Sequence, residues 1–487
     1  MSIYPSIFAA EDGQATRDYD EPPHEFRTEF QRDRDRILYS KEFRRLSGKT
    51  QVFVAGFDDH VRTRLTHTLE VAQIANTILH QLGLNELLGE AIALGHDLGH
   101  TPFGHIGERT LNYILNGCDG TGNFGCKFED NTRGFKHNWQ GIRTVTDLEK
   151  INEAFDGLNL TDYVRWGILH HTDTAWKKCD NKSNAPNKCN LRHHSERDCL
   201  VSKPEVDFYT DKYVFDDSRC WSIEAIVVKY ADEIAQRHHD VEDGLMTGLI
   251  DRKELILKFT ECFGRYLSRQ DGAKINRLLT LNNKRHEMFQ PAFATLIINF
   301  LTTQAINETK RRMIELQERY PLNNKAEFYA LKNKIYSDNS GKWVEIVGYP
   351  EGIGQKDVGG DAVFQKYLKE RVLNSQVAQA MDSKSNYIVR QLFTAYMSSP
   401  QQLPNRTVAF IFKNYEMETY NKIMGEEIAL GAKFGKFRER LKTLHNQERG
   451  NTYKIALLRT ICDYIAGMTD QYAIDQYELL YGKTHFA

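Results

Sequence analysis

Residues 95–108 read GHDLGHTPFGHIGE, a short polar stretch between two segments that have the apolar periodicity of α-helices. Gly99 tolerates the left-handed backbone conformation that is found just past the end of a helix. Thr101 and Pro102 suit the N-cap and the first position of a new helix. The stretch therefore predicts a sharp corner that joins two helices.

Two pairs of chemically active side chains flank this corner. His96 and Asp97 are predicted in the last turn of the first helix. His105 and Glu108 are three residues apart, so they share one face of the second helix. The glycines and the proline account for the corner, but they leave the histidines and the acids unexplained.

Helical periodicity dominates the rest of the chain, and strand signals are scarce. The better strand candidates are TQVFV at 50–54 and KWVEIVG at 342–348. We therefore predict an all-α fold with minor β-hairpin elements. The segments with helical periodicity are 29–46, 65–82, 87–94, 137–150, 222–239, 285–318, 384–398, 406–446 and 452–480.

Two interruptions divide the helical pattern. Residues 172–220 are polar and poor in periodic apolar positions, which is typical of a long insertion. Residues 337–362 are rich in Gly, Asp and Ser, and they predict a break between an N-terminal helical core and a C-terminal helical part. We assign the catalytic core to 1–245 and a C-terminal helical region to 246–487.

Composition excludes several classes of protein. The 487 residues include 64 Lys and Arg against 66 Asp and Glu, so the net charge of -2 predicts no bulk attraction to nucleic acid or membrane. The first residues lack the features of a signal peptide, and no apolar stretch is long enough to span a bilayer. The eight cysteines form no C-x-x-C pair, which favours reduced thiols. These features predict a soluble protein of the cytoplasm.

Two residues outside the corner could complete a metal site with His96 and Asp97. His67 lies on an apolar helical row and Asp232 on a row of small residues, so both side chains are predicted to point inward. A buried carboxylate without a cation or hydrogen-bond partners is unfavourable. Imidazole and carboxylate ligands without thiolate suit Mn, Fe, Co, Ni or Mg. On these residues alone, a hydrogen-bonded core histidine and a capping or ion-paired aspartate remain open interpretations.

Five sequence blocks, in this order, resemble the HD-domain phosphohydrolases, and in particular their deoxyguanosine triphosphate triphosphohydrolase branch. Together the blocks are far more specific than the metal motif alone. The C-terminal half adds little to the resemblance. The blocks are RDRDRILYSKEFRRLSGKTQV at 32–52, RTRLTHTLEVAQIA at 62–75, GHDLGHTPFGHIGE at 95–108, FKHNWQGIR at 135–143 and EAIVVKYADEIAQRHHDVEDGL at 224–245.

The resemblance implies a mostly helical, metal-dependent enzyme that hydrolyses a deoxynucleoside triphosphate to deoxynucleoside and inorganic triphosphate, with dGTP as the family default. The cofactor implied is a divalent ion, either Mg, Mn, Co, Ni or Fe. His105 and Glu108 match the family's catalytic pair, in which an acid fixes the tautomer of an imidazole that moves a proton. The implied metal ligands are His67, His96, Asp97 and Asp232.

Further positions match the substrate contacts of related enzymes. The guanidinium of Arg64 suits phosphate oxygens, and His100 and His137 match phosphate-side positions, with Asn138 beside His137. Amide and carboxylate groups suit a 3′-hydroxyl. One departure is Gln236, where many relatives carry Tyr, and it puts one sugar or phosphate contact in doubt. The implied substrate-binding residues are Gln51, Arg64, His100, His137, Asn138 and Asp240.

Partners and alternatives follow from the same resemblance. It implies a homo-oligomer, because in some relatives a C-terminal Arg of a neighbouring subunit completes the pocket, and residues 246–487 are where we expect the interface. Some relatives bind single-stranded DNA, and a regulatory nucleotide is a further possible partner. The alternative functions are an HD-domain phosphatase or phosphodiesterase acting on another nucleotide, and a catalytically weak nucleotide-binding or nucleic-acid-binding module.

Three other signals carry little weight. GTGNFG at 120–125 satisfies G-x-G-x-x-G, but it follows a helical pattern rather than a strand. Cysteines 179, 189 and 199 with the histidines at 193–194 are spaced more widely than a compact zinc site. The basic segments within 406–446 also contain acids, so they are typical of solvated helix faces rather than a nucleic-acid surface.

Overall fold

The computed structural model describes residues 6–51, 62–116, 133–175, 206–280, 288–338, 345–447 and 450–482. The described chain is helical, which confirms the predicted all-α class. No strand occurs in these ranges, where the β pairing consists of the isolated bridges Thr50 to Thr63 and Lys150 to Gly157. Of the two predicted strands, the described parts contain only the bridge at Thr50 and a turn at 345–347.

His96 and Asp97 follow the end of a helix at Gly95, instead of lying in its last turn as predicted. The helices up to residue 246 contain the other two predicted metal ligands, His67 and Asp232. These helices are α1 (Glu29–Tyr39), α2 (Lys41–Arg45), α3 (Arg64–Leu82), α4 (Glu86–Gly95), α5 (Gly104–Leu115), α6 (His137–Arg143), α7 (Asp162–His170), α8 (Asp207–Thr210), α9 (Asp217–Cys220) and α10 (Ile223–Met246).

The remaining described helices continue to the C-terminal part of the chain. They are α11 (Arg252–Phe263), α12 (Arg269–Leu279), α13 (Phe289–Arg319), α14 (Lys325–Asp338), α15 (Glu351–Gly354), α16 (Gly360–Leu368), α17 (Gln376–Ser398), α18 (Asn405–Tyr415), α19 (Met417–Gly425), α20 (Leu430–Gln447), α21 (Asn451–Ala466) and α22 (Asp470–Tyr481).

Local sequence signals set the ends of the helices around the site. α3 ends at Gly83, whose φ of 66° is left-handed. The side chain of Asn85 caps α4, and that of Ser222 caps α10. The periodic segment predicted at 29–46 divides at Ser40, which ends α1 and caps α2 with its side chain.

The buried apolar side chains form two clusters, which we call the first core and the second core. The first core includes Val71 of α3, Ile92 of α4 and Val228 of α10. The second core includes Leu111 of α5 and Phe393 of α17, together with side chains of α18, α21 and α22. The corner between α4 and α5 therefore leads from one core to the other. The division of the chain at residue 245 stays a prediction.

Several predicted features lie wholly or partly outside the described residues. The glycine-rich stretch at 120–125 and the cysteine and histidine residues at 179–199 are among them. Of the insertion predicted at 172–220, the described part holds α8 and α9. Among the described helices, none combines the length and the apolar character that crossing a membrane requires.

Candidate active site

The corner between α4 and α5 differs in detail from the prediction. α5 begins at Gly104, and its N-cap position is Phe103 with a left-handed φ of 61°, so the predicted cap at Thr101 is wrong. The hydroxyl of Thr101 instead donates to the carbonyl oxygen of Gly104 at 2.9 Å. Gly99 is not left-handed; a Cβ there would overlap backbone atoms of α6. Its absence of a side chain lets α6 approach the corner closely.

A contact from the far end of the chain stabilises the unusual backbone of the corner. The backbone N–H of Phe103 donates to Asp470 Oδ1 at 2.8 Å, and Thr50 N donates to Asp470 Oδ2 at 2.9 Å. Lys49 Nζ donates to the carbonyl oxygens of His100, at 2.6 Å, and Ala466, at 3.0 Å. Residues 466–470 thus hold both the corner and the segment that carries Gln51.

The four predicted metal ligands converge next to this corner. His67 Nε2 lies 3.0 Å from Asp232 Oδ1 and 3.9 Å from Asp97 Oδ2. His96 Nε2 lies 3.4 Å from Asp97 Oδ1, and the other ring nitrogen of His96 lies 2.6 Å from the carbonyl oxygen of Ala93. The backbone contact orients the imidazole, so that Nε2 faces the cluster.

The donor set of this cluster fits a divalent cation. His96 Nε2 is buried and makes no hydrogen bond, although it faces two carboxylates and a second imidazole. A buried polar atom without a partner is unfavourable unless something binds it. One ligand atom each from His67, His96 and Asp232 lie within 4.8 Å of one another, and Asp97 borders the same space.

The carboxylates of the cluster are held in the ionised form that binds cations. Burial by itself would raise the pKa of Asp97, but His100, His96 and Arg64 together hold that pKa well below its ordinary value. Burial likewise opposes ionisation of Asp232, and its hydrogen bond with His67 holds its pKa below the usual range. Both carboxylates are therefore negatively charged already and need not lose a proton when a cation binds.

A second group of side chains surrounds Glu108 on α5. His105 Nδ1 lies 3.2 Å from Glu108 Oε2, and His137 Nδ1 lies 2.8 Å from Glu108 Oε1. The backbone N–H of His137 also donates to Glu108 Oε1 at 3.0 Å. Glu108 is buried, whereas the side chain of His105 is 59% exposed. The carboxylate thus orients two imidazoles, of which His105 faces outward.

Burial would raise the pKa of Glu108, but His137 and His105 hold it well below its usual range. Burial lowers the pKa of His137, although Glu108 opposes that shift. At neutral pH the group therefore contains a carboxylate and a neutral His137. Such a pair is suited to orient the exposed imidazole of His105 for proton transfer.

His100 and Arg64 connect the two groups. His100 Nδ1 lies 2.9 Å from Asp97 Oδ1, and its ring stacks on that of His137 with centroids 3.9 Å apart. Arg64 Nη1 donates to Asp97 Oδ2 at 2.7 Å, while its Nε and Nη2 are buried without a hydrogen-bond acceptor. These free N–H groups beside the metal cluster are donors of the kind that phosphate oxygens accept.

The other predicted substrate contacts differ in their surroundings. Asp240 is buried on α10, burial raises its pKa to about 7, and its Oδ1 has no hydrogen-bond partner. Gln51 also has a buried side-chain oxygen without a partner. The amide of Asn138 instead donates to the backbone carbonyl oxygens of Leu169, at 2.8 Å, and Asp173, at 3.3 Å. Asn138 therefore fastens α6 to α7, and its contact with substrate stays a prediction.

Sequence reasoning missed three residues that border the site. His171 Nε2 lies 3.2 Å from His137 Nε2, and burial together with His96 and His137 lowers the pKa of His171 to about 3. Lys49 and Asp470 make the backbone contacts described above. The adjacent histidines at 170 and 171, at the end of an apolar helical segment, were a usable signal for His171. No local pattern marks Asp470.

Comparisons with known proteins find similar sequences along nearly the whole chain. Residues 64–237 match the family model described as HD domain, and residues 360–422 and 432–479 match the phosphohydrolase-associated domain. Three similar proteins are each named deoxyguanosinetriphosphate triphosphohydrolase-like protein. That of Bordetella pertussis is 32% identical over 96% of this chain and 93% of its own length. Those of Geobacter metallireducens and Brucella ovis are 31% and 32% identical, over 97% and 95% of this chain and 94% and 92% of their own lengths.

Proposed function

Because this chain belongs to the HD-domain phosphohydrolases, in their deoxyguanosinetriphosphate triphosphohydrolase-like branch, we propose that it hydrolyses deoxynucleoside triphosphates to deoxynucleoside and inorganic triphosphate. The default substrate is dGTP. The reaction breaks the bond between the 5′-oxygen of the sugar and the α-phosphorus. Water supplies the hydroxyl that remains on phosphorus and the proton that the 5′-oxygen acquires.

One observation carries this proposal. His100 joins the metal-type cluster to the Glu108 group, because it lies 2.9 Å from Asp97 and stacks on His137. A phosphate centred near His100 would be within reach of both groups. Phosphoryl hydrolysis needs charge stabilisation and proton transfer at neighbouring atoms. This arrangement places groups for charge stabilisation and for proton transfer beside the same phosphate.

His67, His96, Asp97 and Asp232 would hold a divalent cation, either Mg, Mn, Co, Ni or Fe. A cation there would polarise a phosphoryl oxygen and would lower the pKa of bound water. Asp97 also accepts from Arg64, so the guanidinium is fixed beside the cluster with two donor nitrogens, Nε and Nη2, available for the α-phosphate. Arg64 thus binds the oxygens on which negative charge increases during the reaction.

The chain's own residues transfer the proton. His105 is the exposed imidazole of the Glu108 group, and Glu108 fixes its tautomer through Nδ1. The remaining Nε2 exchanges the proton with the 5′-oxygen as the sugar leaves. His137 supports Glu108 from the opposite side through a second hydrogen bond. Glu108 is therefore a positioning carboxylate as well as the counter-charge of a cationic His105.

Sugar recognition is assigned to Gln51 and Asp240. Both have a buried side-chain oxygen without a hydrogen-bond partner, which a hydroxyl of the sugar would satisfy. Gln236 lies one turn before Asp240 on α10, at the position where many relatives carry Tyr. The product assay described below measures the base preference.

A product assay tests the proposed function. The purified chain is freed of metal, reloaded with Mn²⁺ or Mg²⁺, and given each dNTP and each NTP, with and without a second nucleotide as activator. Release of triphosphate and deoxynucleoside is the expected result. Release of phosphate or pyrophosphate would instead indicate a phosphatase or phosphodiesterase. Nucleotide or DNA binding without turnover under every condition would indicate a binding module.

The proposed enzyme acts as a homo-oligomer in the cytoplasm, with residues 246–487 forming the interface. Regulatory nucleotide and single-stranded DNA are the further partners proposed from the family. Light scattering of the purified chain, with and without each partner, measures the oligomeric state directly. A monomer that is fully active would contradict the proposed assembly.

A further inference from the structure

A second cluster of metal-ligating side chains lies beside the first, on α3 and α10. Glu70 follows His67 on α3 by three residues, and His238 and His239 follow Asp232 on α10. The rings of His67 and His239 have centroids 5.1 Å apart. The packing that brings His67 to Asp232 therefore also brings Glu70 to the two histidines. None of the proposed catalytic steps uses these three residues.

The three side chains direct ligand atoms at one another. One atom each from Glu70, His238 and His239 lie within 4.8 Å of one another. His239 Nε2 contacts Glu70 Oε2, and His238 Nδ1 lies 3.6 Å from the same oxygen. Both histidines are buried, and their distances place two nitrogens and one oxygen around a common space.

The contacts with Arg62 and Glu242 leave Glu70 Oε2 and His238 Nδ1 free to face the common space. Glu70 Oε1 accepts from Arg62 Nε at 3.3 Å, so Oε2 faces the histidines. His238 Nε2 lies 3.3 Å from Glu242 Oε2, which favours the proton on Nε2 and a lone pair on Nδ1. His238 Nδ1 is buried and has no hydrogen-bond partner, although it is aimed at Glu70. A carboxylate behind a ligating imidazole is a common feature of metal sites.

The charges of the cluster also favour a cation. Glu70 and Glu242 carry two negative charges, and the guanidinium of Arg62, which pairs with both, compensates one of them. Burial would lower the pKa of His238, but Glu242 and Glu70 raise it above the usual value, so a divalent ion would take the place of a proton on this imidazole. A divalent ion would bind the cluster without disrupting the Arg62 contacts to Glu70 Oε1.

We propose that Glu70, His238 and His239 form a second divalent-cation site, separate from the His67, His96, Asp97 and Asp232 cluster. Two imidazoles and one carboxylate, without thiolate, suit Zn²⁺, Mn²⁺ or Co²⁺, with water at the remaining positions. The bound ion links α3 to α10 next to the first cluster. The proposal concerns binding and does not depend on the reaction that the protein catalyses.

Metal stoichiometry tests the second site. The full chain is stripped with chelator, equilibrated with Mn²⁺ or Zn²⁺, desalted and measured by elemental analysis. We expect two ions per wild-type chain and one in His238→Asn. The matched control His80→Asn changes an exposed histidine of α3 and keeps two. Asp232→Asn should lose the first ion and keep the second.

Two results would overturn the second site. One is a wild-type chain that binds a single ion that Asp232→Asn removes, and the other is a His238→Asn chain that still binds two. If His238→Asn does not fold, Co²⁺ titration of the wild-type chain decides the question by its visible absorption. Two saturating equivalents support the site, and saturation at one equivalent excludes it.

Discussion

The two sides of the candidate site are built in different ways. The metal side uses α3, α4 and α10, whose apolar faces all pack in the first core. The proton-transfer side uses α5, whose apolar face packs in the second core against α17 and α21. On the metal side the side chains of His67, His96 and Asp97 are almost completely buried and that of Asp232 is 25% exposed, whereas His105 is 59% exposed. The corner between α4 and α5 is the covalent link between the two sides.

Because of this difference, we expect each core to position a different part of the site. The first core holds the charged cluster rigid, because its ligands come from neighbouring helices of one packed unit. The second core controls where His105 and Glu108 lie relative to that cluster. Changes in the second core should therefore alter turnover without removing metal, and changes in the cluster should remove both.

The largest expected effect separates the two sides directly. His105→Ala removes the exposed imidazole, and we expect turnover to decrease by ~10²–10⁴-fold, the usual contribution of general acid–base catalysis. Metal content should remain that of the wild-type chain, because His105 does not contact the cluster. Asp232→Asn should instead lower metal content and turnover together. Steady-state kinetics and elemental analysis on the same preparations check both results.

His80→Asn is the control for this pair, because His80 is exposed at the end of α3. It should retain both metal and turnover. Full turnover in His105→Ala would show that the proton-transfer role is assigned to the wrong residue. Loss of metal in His105→Ala would show that the two sides are not separable.

The metal side was predictable from sequence because its signals are local. His67 and Asp232 occupy inward rows of α3 and α10, and His96 and Asp97 were predicted within one or two residues of where α4 ends. Periodicity left their role as metal ligands open, and the family resemblance supplied it. The resemblance also supplied the pairing of His105 with Glu108, and the structure puts them 3.2 Å apart. These residues were found because each belongs to a short pattern.

The surroundings of the corner were not predictable in the same way. Thr101-Pro102 has the composition of a helix start, yet α5 begins at Gly104 because a distant carboxylate binds the N–H of Phe103. Phe103 and Asp470 are 367 positions apart in sequence, and no periodic pattern relates them. Contacts between the two cores depend on tertiary packing, which a local pattern does not encode.

The second prediction, with a smaller expected effect on turnover, concerns the contact of Asp470 with Phe103 and Thr50. Asp470→Ala removes the acceptor for the N–H groups of both Thr50 and Phe103. The corner and the Gln51 segment should then shift, and we expect kcat/KM to decrease by ~10–10²-fold, as small misplacements of reacting groups do. Metal content should not change. Asp470→Asn keeps one acceptor oxygen, so its kinetics should lie between those of wild type and Asp470→Ala.

Asp475→Asn is the matched control, since Asp475 is an exposed carboxylate on the same helix. It should have wild-type kinetics. A purely structural role for Asp470 would lower the unfolding temperature of Asp470→Ala without changing kcat/KM at temperatures where the variant is folded. That result would remove Asp470 from the positioning of the site.

The third prediction, with the smallest expected effect on turnover, compares the truncation of one buried leucine in each core. Leu88→Ala, in α4, and Leu111→Ala, in α5, each truncate a fully buried side chain, and each should lower the free energy of unfolding by ~2–5 kcal/mol. Their kinetics should differ, because Leu111 lies one turn after Glu108, whereas Leu88 lies two turns before His96. We expect Leu111→Ala to lower kcat several-fold and Leu88→Ala to leave it within about twofold. Denaturant unfolding gives the stabilities, and kcat measured well below both unfolding temperatures gives the comparison. Equal losses of kcat would mean that the second core does not control the position of α5 separately.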